Sequence, residues 1–292
     1  MKPAPFDYAA AGSIDEAVAL LAESGRDARI LAGGQSLVPL MNLRMARPSV
    51  LIDINGIQTL TGWRTDGGRV HIGSATRQRV LEHDAMLAAH APLLAEAVRH
   101  IGHVATRNRG TVGGSIAHAD PSAELPICVL VLDGRMHARS KRGARAIEAG
   151  DFFAGIFATA LAEDEVLEAI SFEPQTTATG FAFDEVSRRP RDFAMAAAAC
   201  AVTLTSDGRI ERIRLALGGV GGQAKRIPEA ETLLMGQAPS AGLWQAAAEA
   251  VSKHIDPGSD LHATAEYRRE VAGVLTRRVL ERAAVQAGKH WQ

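Results

Sequence analysis

The chain has 292 residues, with 32 Lys and Arg against 33 Asp and Glu, 47% hydrophobic residues and 22% charged ones. This is a globular composition with room for two or three domains, and a charge balance near zero supplies no basic stripe for nucleic acid. Cys128 and Cys200 are the only cysteines. Two thiols cannot hold an iron–sulfur cluster, which takes four, and they give no disulfide framework, so a reducing compartment, the cytoplasm, is expected. The first eight residues lack the apolar core of a signal peptide, and no apolar run is long enough for an integral membrane segment.

In chain order, Ser13-Ile-Asp-Glu16 is a capping box that opens a helix with Ala17, Val18, Leu20 and Leu21 on its apolar face and Gly25 at its C-cap. A strand over 28–32 runs into Gly33-Gly-Gln-Ser36, then a short helix over 37–43, then a strand over 50–54. Strand, glycine turn, helix, strand predicts a βαβ unit with parallel strands, and Asn55-Gly56 marks a subdomain edge. Residues 70–73 alternate like a strand, 77–84 read as helical, and Pro92 suits the first turn of a helix reaching about Ile101, with Leu93, Leu94, Ala97, Val98 and Ile101 on one face. Residues 107–115 have the chemistry of a loop, and 122–132 form a buried helix or strand. Strands are expected over 136–140 and 166–172, the latter with Val166, Ile170 and Phe172 on one face. Residues 174–180 read as a linker. Beyond it, segments 200–205 and 209–217 make a hairpin about Ser206-Asp-Gly208. Helices over 229–235, 241–255 and 265–287 follow, the last with Tyr267, Val271, Leu275 and Val279 as its apolar stripe. The expected division is 1–55 and 56–175 as two subdomains and 176–292 as a small α+β domain.

Two segments carry the chemistry. Ala32-Gly-Gly-Gln-Ser36 and Thr111-Val-Gly-Gly-Ser115 each set paired glycines beside hydroxyl residues. Such glycines permit positive φ and close approach of backbone to a ligand, and successive N–H groups can converge on an anion. The first loop also opens a helix, which adds its dipole. One such pair is ordinarily just a tight turn; two in one domain point to an anion or nucleotide site. Gly219-Val-Gly-Gly-Gln-Ala224 loosely fits a dinucleotide fingerprint, but it follows a hairpin strand and Pro228 soon interrupts it, so it reads as a turn. His118 and Asp120 lack a third metal ligand nearby, and a structural role beside the glycine segment is the better reading. Arg107 and Arg109 could meet phosphate, backbone carbonyls or a partner; the role of Asp192 stays open.

Leu31-Ala-Gly-Gly-Gln-Ser-Leu-Val-Pro-Leu-Met-Asn-Leu-Arg44 resembles the first flavin loop of the FAD subunits of the molybdenum hydroxylases. Ile101-Gly-His-Val-Ala-Thr-Arg-Asn-Arg-Gly-Thr-Val-Gly-Gly-Ser-Ile-Ala-His-Ala-Asp-Pro-Ser-Ala-Glu-Leu-Pro126 resembles the second, and Phe183-Asp-Glu-Val-Ser-Arg-Arg-Pro-Arg-Asp-Phe-Ala194 is a third family-like block. The likeness is greatest to the medium subunits of aerobic carbon monoxide dehydrogenase and of dehydrogenases acting on nicotine and caffeine, and it spans essentially the whole chain.

That resemblance implies an α+β fold: the two-subdomain FAD-binding fold of the vanillyl-alcohol oxidase and p-cresol methylhydroxylase type, then a small α+β C-terminal domain. It implies FAD as cofactor. Ala32, Gly33, Gly34, Gln35 and Ser36, with Thr111, Val112, Gly113, Gly114 and Ser115, are expected to cradle the pyrophosphate and ribityl chain. Glu124 is expected near the FAD, Leu167 on a strand along it, Ile101 against the isoalloxazine ring and Ala117 beside the second loop. Residues 102–110 are expected between ring and partner. The implied partners are an iron–sulfur small subunit and a molybdopterin large subunit, in a doubled heterotrimer that passes electrons to an external acceptor. Xanthine-dehydrogenase-like relatives carry a lysine on the strand that here holds Asp184 and Glu185, which leaves that acceptor open. A free-standing flavin oxidase and a flavin-free scaffold subunit are the rivals.

Overall fold

The computed structural model describes residues 1–175 and 178–288; Thr176 and Thr177, within the expected linker, lie outside the described residues. The chain opens with a strand that sequence reasoning missed, β1 (Asp7–Ala10). Helix α1 (Ile14–Ser24) follows, capped by Ser13, whose Oγ accepts from Glu16 N at 3.1 Å. The Glu16 carboxylate returns not to Ser13 but to Gly12 N at 2.8 Å, a capping box displaced by one residue. Strand β2 (Ala28–Leu31), helix α2 (Leu37–Asn42) and strand β3 (Val50–Asp53) complete the expected βαβ unit. The three strands run parallel in the order β1-β3-β2. Ala17, Val18 and Leu21 of α1 and Ile52 of β3 form a small core of their own.

A five-stranded antiparallel sheet comes next. It is built of β4 (Trp63–Asp66), β5 (Arg69–Gly73), β6 (Arg135–Ser140), β7 (Gly143–Glu148) and, after the short pair β8 (Phe153–Gly155) and β9 (Ala158–Thr159), β10 (Val166–Phe172). Its order is β4-β5-β10-β6-β7. A bulge between Leu167 and Ala169 changes which side chains share a face. Val166 therefore joins the N-terminal core, whereas Leu167, Ile170 and Phe172 join the central one, contrary to the simple alternation.

Between β5 and β6 lie α3 (Gln78–His83), α4 (Ala85–His90), α5 (Pro92–Ala97), α6 (Val104–Arg109), α7 (Val112–His118) and α8 (Glu124–Val131). Helix α5 stops sooner than the apolar spacing suggested, because residues 98–100 form a turn. Residues 107–115 are not a loop: α6 and α7 occupy nearly all of them. Every residue of α8 is buried, which resolves the helix-or-strand ambiguity. A one-turn helix, α9 (Ala149–Phe152), precedes β8.

The C-terminal part has a four-stranded antiparallel sheet, β11 (Thr179–Ser187), β12 (Ala194–Leu204), β13 (Ile210–Gly218) and β14 (Lys225–Arg226). The hairpin turns at Gly208, whose φ is 79°. Helices α10 (Pro228–Leu234), α11 (Ala241–His254) and α12 (Ala265–Gly288) follow. In α12, Val271, Leu275 and Val279 are buried as expected, but Tyr267 is exposed and Arg268 is buried beside it, donating to the carbonyls of Met195 and Gly219.

Strand β12 is covered on both faces. Ala196, Ala198, Cys200 and Val202 meet the core that includes α12, whereas Ala197, Ala199 and Ala201 meet the core that includes α8. Small side chains let two helices approach one strand, and both faces exclude water. Replacing the fully buried Ala198 with Leu adds volume where none is free, and destabilisation by about 1–3 kcal/mol is expected. Denaturant unfolding of the full chain measures it, and an unchanged midpoint would show that this face has slack.

Candidate cofactor site

The first glycine loop has the geometry of an anion site. Leu31, Ala32, Gly33, Gly34 and Gln35, with Val38 and Pro39 of α2, line a cleft of about 380 Å³ whose other wall is Asp53, Asn55 and Arg109. That is near the small end for ligand pockets, so the cleft suits one part of a larger ligand. The amide N–H groups of Gly33, Gly34, Gln35 and Ser36 have no acceptor among the described residues. Gly34 has φ of 71°, the left-handed region in which a Cβ is disfavoured. Gly33 is needed for another reason: a Cβ there would stand 2.4 Å from the Arg109 carbonyl oxygen and 2.7 Å from Gly110 Cα. Helix α2 spans only 37–42, so the loop amides themselves, rather than a long helix dipole, are the donors on offer.

A polar network holds the cleft's far wall. Asp53 Oδ1 accepts from Asn55 N at 2.8 Å and from Asn55 Nδ2 at 2.6 Å, and its Oδ2 accepts from Tyr8 Oη at 2.6 Å. Asn55 Nδ2 also donates to the Ala32 carbonyl at 2.8 Å, and its Oδ1 accepts from Arg77 at 2.8 Å. Arg77 donates further to the Arg109 carbonyl. Burial pushes the Asp53 carboxyl up, but the hydrogen bonds from Tyr8 and Asn55 and the charge of Arg77 bring it below its ordinary range. Both carboxylate oxygens are thus engaged, and the unspent capacity of the cleft lies in donors. That set fits a diphosphate.

The second glycine segment is built differently from the first. Thr111 is the N-cap of α7, and its Oγ1 accepts from Gly114 N at 3.0 Å. Val112 N donates to Thr76 O and Gly113 N to Ser74 O, each at 2.9 Å. The first three amides of α7 are therefore satisfied within the chain, and neither Gly113 nor Gly114 has positive φ. These glycines serve close approach. A Cβ on Gly113 would lie 2.4 Å from Ser74 Cβ, and one on Gly114 would lie 2.6 Å from the capping Thr111 Oγ1 and 3.6 Å from Ala32 Cβ. Residues 111–115 thus brace the first loop from behind, with Ser115 and Ala117 half-buried along the same helix. Leu167 belongs to this framework: the bulge beside it exposes the Glu168 carbonyl, which accepts from Ser74 N at 2.9 Å.

Ile101 and Glu124 do not line the cleft. Ile101 is 9% exposed in the central core, and Glu124 is 7% exposed at the start of α8. Arg107 and Arg109 part company. Arg107 is buried, pairs with Glu82 through two hydrogen bonds and caps the carbonyls of Ile101 and Gly102, a structural role. Arg109 is exposed at the cleft. His118 packs its ring on Phe157 at 4.9 Å, and Asp120 accepts from Ser122 N. The turn reading of 219–224 matches the structure, since β14 pairs antiparallel with β13 just after it. Asp53, Asn55, Tyr8 and Arg77 escaped sequence reasoning. The spacing Asp53-x-Asn55 at a strand end was the available signal.

A βαβ unit packed beside a mixed helix and antiparallel-sheet unit, with a glycine loop of unsatisfied amides between them, is the architecture of a nucleotide-cofactor protein. Comparison with known proteins gives the class its name. Residues 4–174 match the FAD binding domain in molybdopterin dehydrogenase, and residues 181–283 match the CO dehydrogenase flavoprotein C-terminal domain. The chain belongs to this flavoprotein family. It is 40% identical to the 6-hydroxypseudooxynicotine dehydrogenase complex subunit alpha of Paenarthrobacter nicotinovorans, covering 98% of this chain and 97% of that one. It is 39% identical to the carbon monoxide dehydrogenase medium chain of Hydrogenophaga pseudoflava, covering 97% and 98%. A solved carbon monoxide dehydrogenase from that organism superposes with a TM-score of 0.96 at 39% identity over 98% of this chain and 99% of that one. Quinoline 2-oxidoreductase from Pseudomonas putida 86 gives 0.93 at 35%, over 98% and 99%. The α+β expectation and the family resemblance both hold.

The acidic pair on β11 is answered from neighbouring elements. Asp184 meets Arg278 at 3.7 Å, and Glu185 meets His100 at 3.4 Å. Its hydrogen bond to Glu185 holds the His100 imidazole above its ordinary pKa. Glu124 faces the same joint. Burial, with Glu185 and Asp120 nearby, pushes its carboxyl up to about 8 from an ordinary 4.5. A raised folded-state pKa contributes stability that is fully present below the unfolded value and lost as pH rises through the folded one. The native chain is therefore expected to lose thermal stability between neutral pH and about pH 9. Glu124→Gln, which cannot ionise, should lose distinctly less. Melting temperatures at the two pH values decide it, and an equal loss in the variant would assign the titration to another group.

Proposed function

We propose that this chain is the FAD-binding electron-transfer subunit of a heterotrimeric molybdenum hydroxylase. It accepts electrons from iron–sulfur clusters on a small subunit and passes them to an external acceptor, while substrate is oxidised at a molybdenum centre on a large subunit. The observation that carries this is the cleft with its run of unsatisfied amides, in a chain that matches medium subunits over nearly the full length of both partners. FAD, when bound, supplies a carrier that can exchange electrons singly or in pairs.

The chain's own residues bind and orient. Gly33, Gly34, Gln35 and Ser36 present N–H groups to the diphosphate, and Ala32 and Asn55 fix the loop through their hydrogen bond. Thr111, Val112, Gly113, Gly114 and Ser115 hold α7 against Ser74 and so set the distance between the loop and the central sheet. In the same reading Ile101 packs toward the flavin ring, Leu167 lies on a strand along the cofactor, Ala117 sits beside the second glycine segment, and Glu124 is near the FAD. We assign 1–55 and 56–175 to the two cofactor subdomains and 176–292 to the C-terminal domain. Assembly as a dimer of heterotrimers in the cytoplasm is part of the same reading; no helix among the described residues is long and apolar enough to cross a membrane.

Purified with its partners, the complex is expected to contain iron, molybdenum and FAD, and this chain alone FAD without either metal. Stoichiometric iron on the isolated chain would overturn the division of labour. Gly33→Val is expected to abolish FAD retention, because a branched side chain drives the loop off the Arg109 carbonyl. Flavin absorbance per chain, read beside circular dichroism, tests it; normal flavin content in a folded Gly33→Val would refute the loop's assignment.

A further inference from the structure

Of Arg77, Arg107 and Arg109, Arg109 is the one that lines the cleft and the one whose side chain is unspent among the described residues. Arg107 is consumed by Glu82 and two backbone carbonyls. Arg77 donates to Asn55 and to the Arg109 carbonyl. The Arg109 side chain is exposed and has no hydrogen-bond or ion-pair partner among the described residues, and Arg109 belongs to the lining of the cleft together with Gly33, Gly34 and Gln35, whose amides are free. We infer that Arg109 is the counter-ion of the cofactor's pyrophosphate, so that its charge, and not the glycine loop alone, sets how tightly the dinucleotide is held. The inference rests on the flavoprotein reading and adds a binding residue to it.

Three observations converge. The first is charge. The charged residues that line the cleft are Asp53 and Arg109, and Arg77 stands beside them on Asn55 and the Arg109 carbonyl. Asp53 and Arg77 balance, and the carboxylate is occupied by Tyr8 and Asn55, which leaves one positive charge uncompensated. Arg77 registers that excess: burial, and then the neighbouring charge of Arg109, hold its pKa below the ordinary value. The second is preorganisation. The Arg109 carbonyl is pinned by Arg77 and packed against Gly33, so the side chain springs from a fixed point on the wall and little backbone freedom remains to be lost on binding. The third is complementarity. Guanidinium groups pair with phosphate oxygens by charge-assisted, often two-pronged hydrogen bonds, which neutral amides alone do not match.

The test is a titration of the flavin-depleted full chain with FAD, followed by flavin fluorescence at about 0.05 M and about 0.5 M salt. ADP, which carries the same pyrophosphate without the flavin, serves as competitor. Wild-type affinity is expected to fall as salt rises. Arg109→Ala should weaken FAD by about ten- to a hundredfold at low salt, flatten the salt dependence and weaken ADP in proportion. Arg109→Lys should recover part of the loss. Lys253→Ala, which removes one exposed charge from α11, should change nothing. Unchanged FAD affinity and salt slope in a folded Arg109→Ala would overturn the inference. So would a salt-independent wild type, a measurement that needs no variant. A wild-type chain that binds no FAD would instead refute the flavoprotein reading on which the inference stands.

Discussion

The structure turns on a contact that involves no side chain: the Cα of Gly33 against the carbonyl of Arg109 and the Cα of Gly110. The N-terminal parallel sheet and the central antiparallel sheet have separate cores, and this is a point where their backbones come together with nothing between them. Arg77 locks the approach, reaching Asn55 on one side and the Arg109 carbonyl on the other. A side chain at position 33 would separate the two walls, and the wall residues Asp53, Asn55 and Arg109 would no longer face the loop amides. The cleft is thus a by-product of two subdomains brought within backbone distance, and its donors are unsatisfied because the loop lies at that seam, outside any helix or ladder.

The two glycine pairs look alike in sequence and do opposite work. At Gly33-Gly34 the amides are left open. At Gly113-Gly114 they are closed by Ser74 and Thr111, while the missing side chains let α7 lie on the start of the segment after β5. A buried amide without an acceptor is costly, so the second pair, sunk in the framework, must be satisfied internally. The first, at an open cleft, can wait for a ligand. One segment leaves its donors open and the other is braced within the framework, which is the arrangement that keeps the geometry of a binding loop from drifting.

Much of this was legible beforehand. The βαβ unit announced itself because two short apolar runs flank a glycine turn at the spacing parallel strands need, and the hairpin at Gly208 because its turn chemistry is local. What was lost depends on tertiary context. Among the described residues strand β1 pairs with β3 alone, more than forty residues away in sequence, so nothing nearby marks it. Helices α6 and α7 hid behind Asn108 and the glycines at 110, 113 and 114, residues that disfavour a helix until a capping Thr and a packed Ser74 reward it. The alanines of 196–199 have the highest intrinsic helix propensity, yet they form a strand, because only small side chains fit between α8 and α12. The bulge before Ala169 defeated the alternation that would have placed Val166 beside Ile170. At the site, the Asp53–Asn55 pair is local and left a faint signal, whereas Tyr8 left none because its bond to Asp53 exists only once β1 and β3 are paired.

The acidic pair on β11 is compensated from other elements. Asp184 and Glu185 face Arg278 from α12 and His100 from the turn after α5, so the positive charge is supplied by neighbouring elements. Glu185 keeps one buried oxygen without a partner, and Glu124 is buried within its field. Two carboxyls in one dry joint cannot both ionise cheaply. Burial makes the Glu124 carboxyl hold its proton more readily than a free one, so α8, which packs on β12 and β13, opens beside Glu185 with little added charge to compensate.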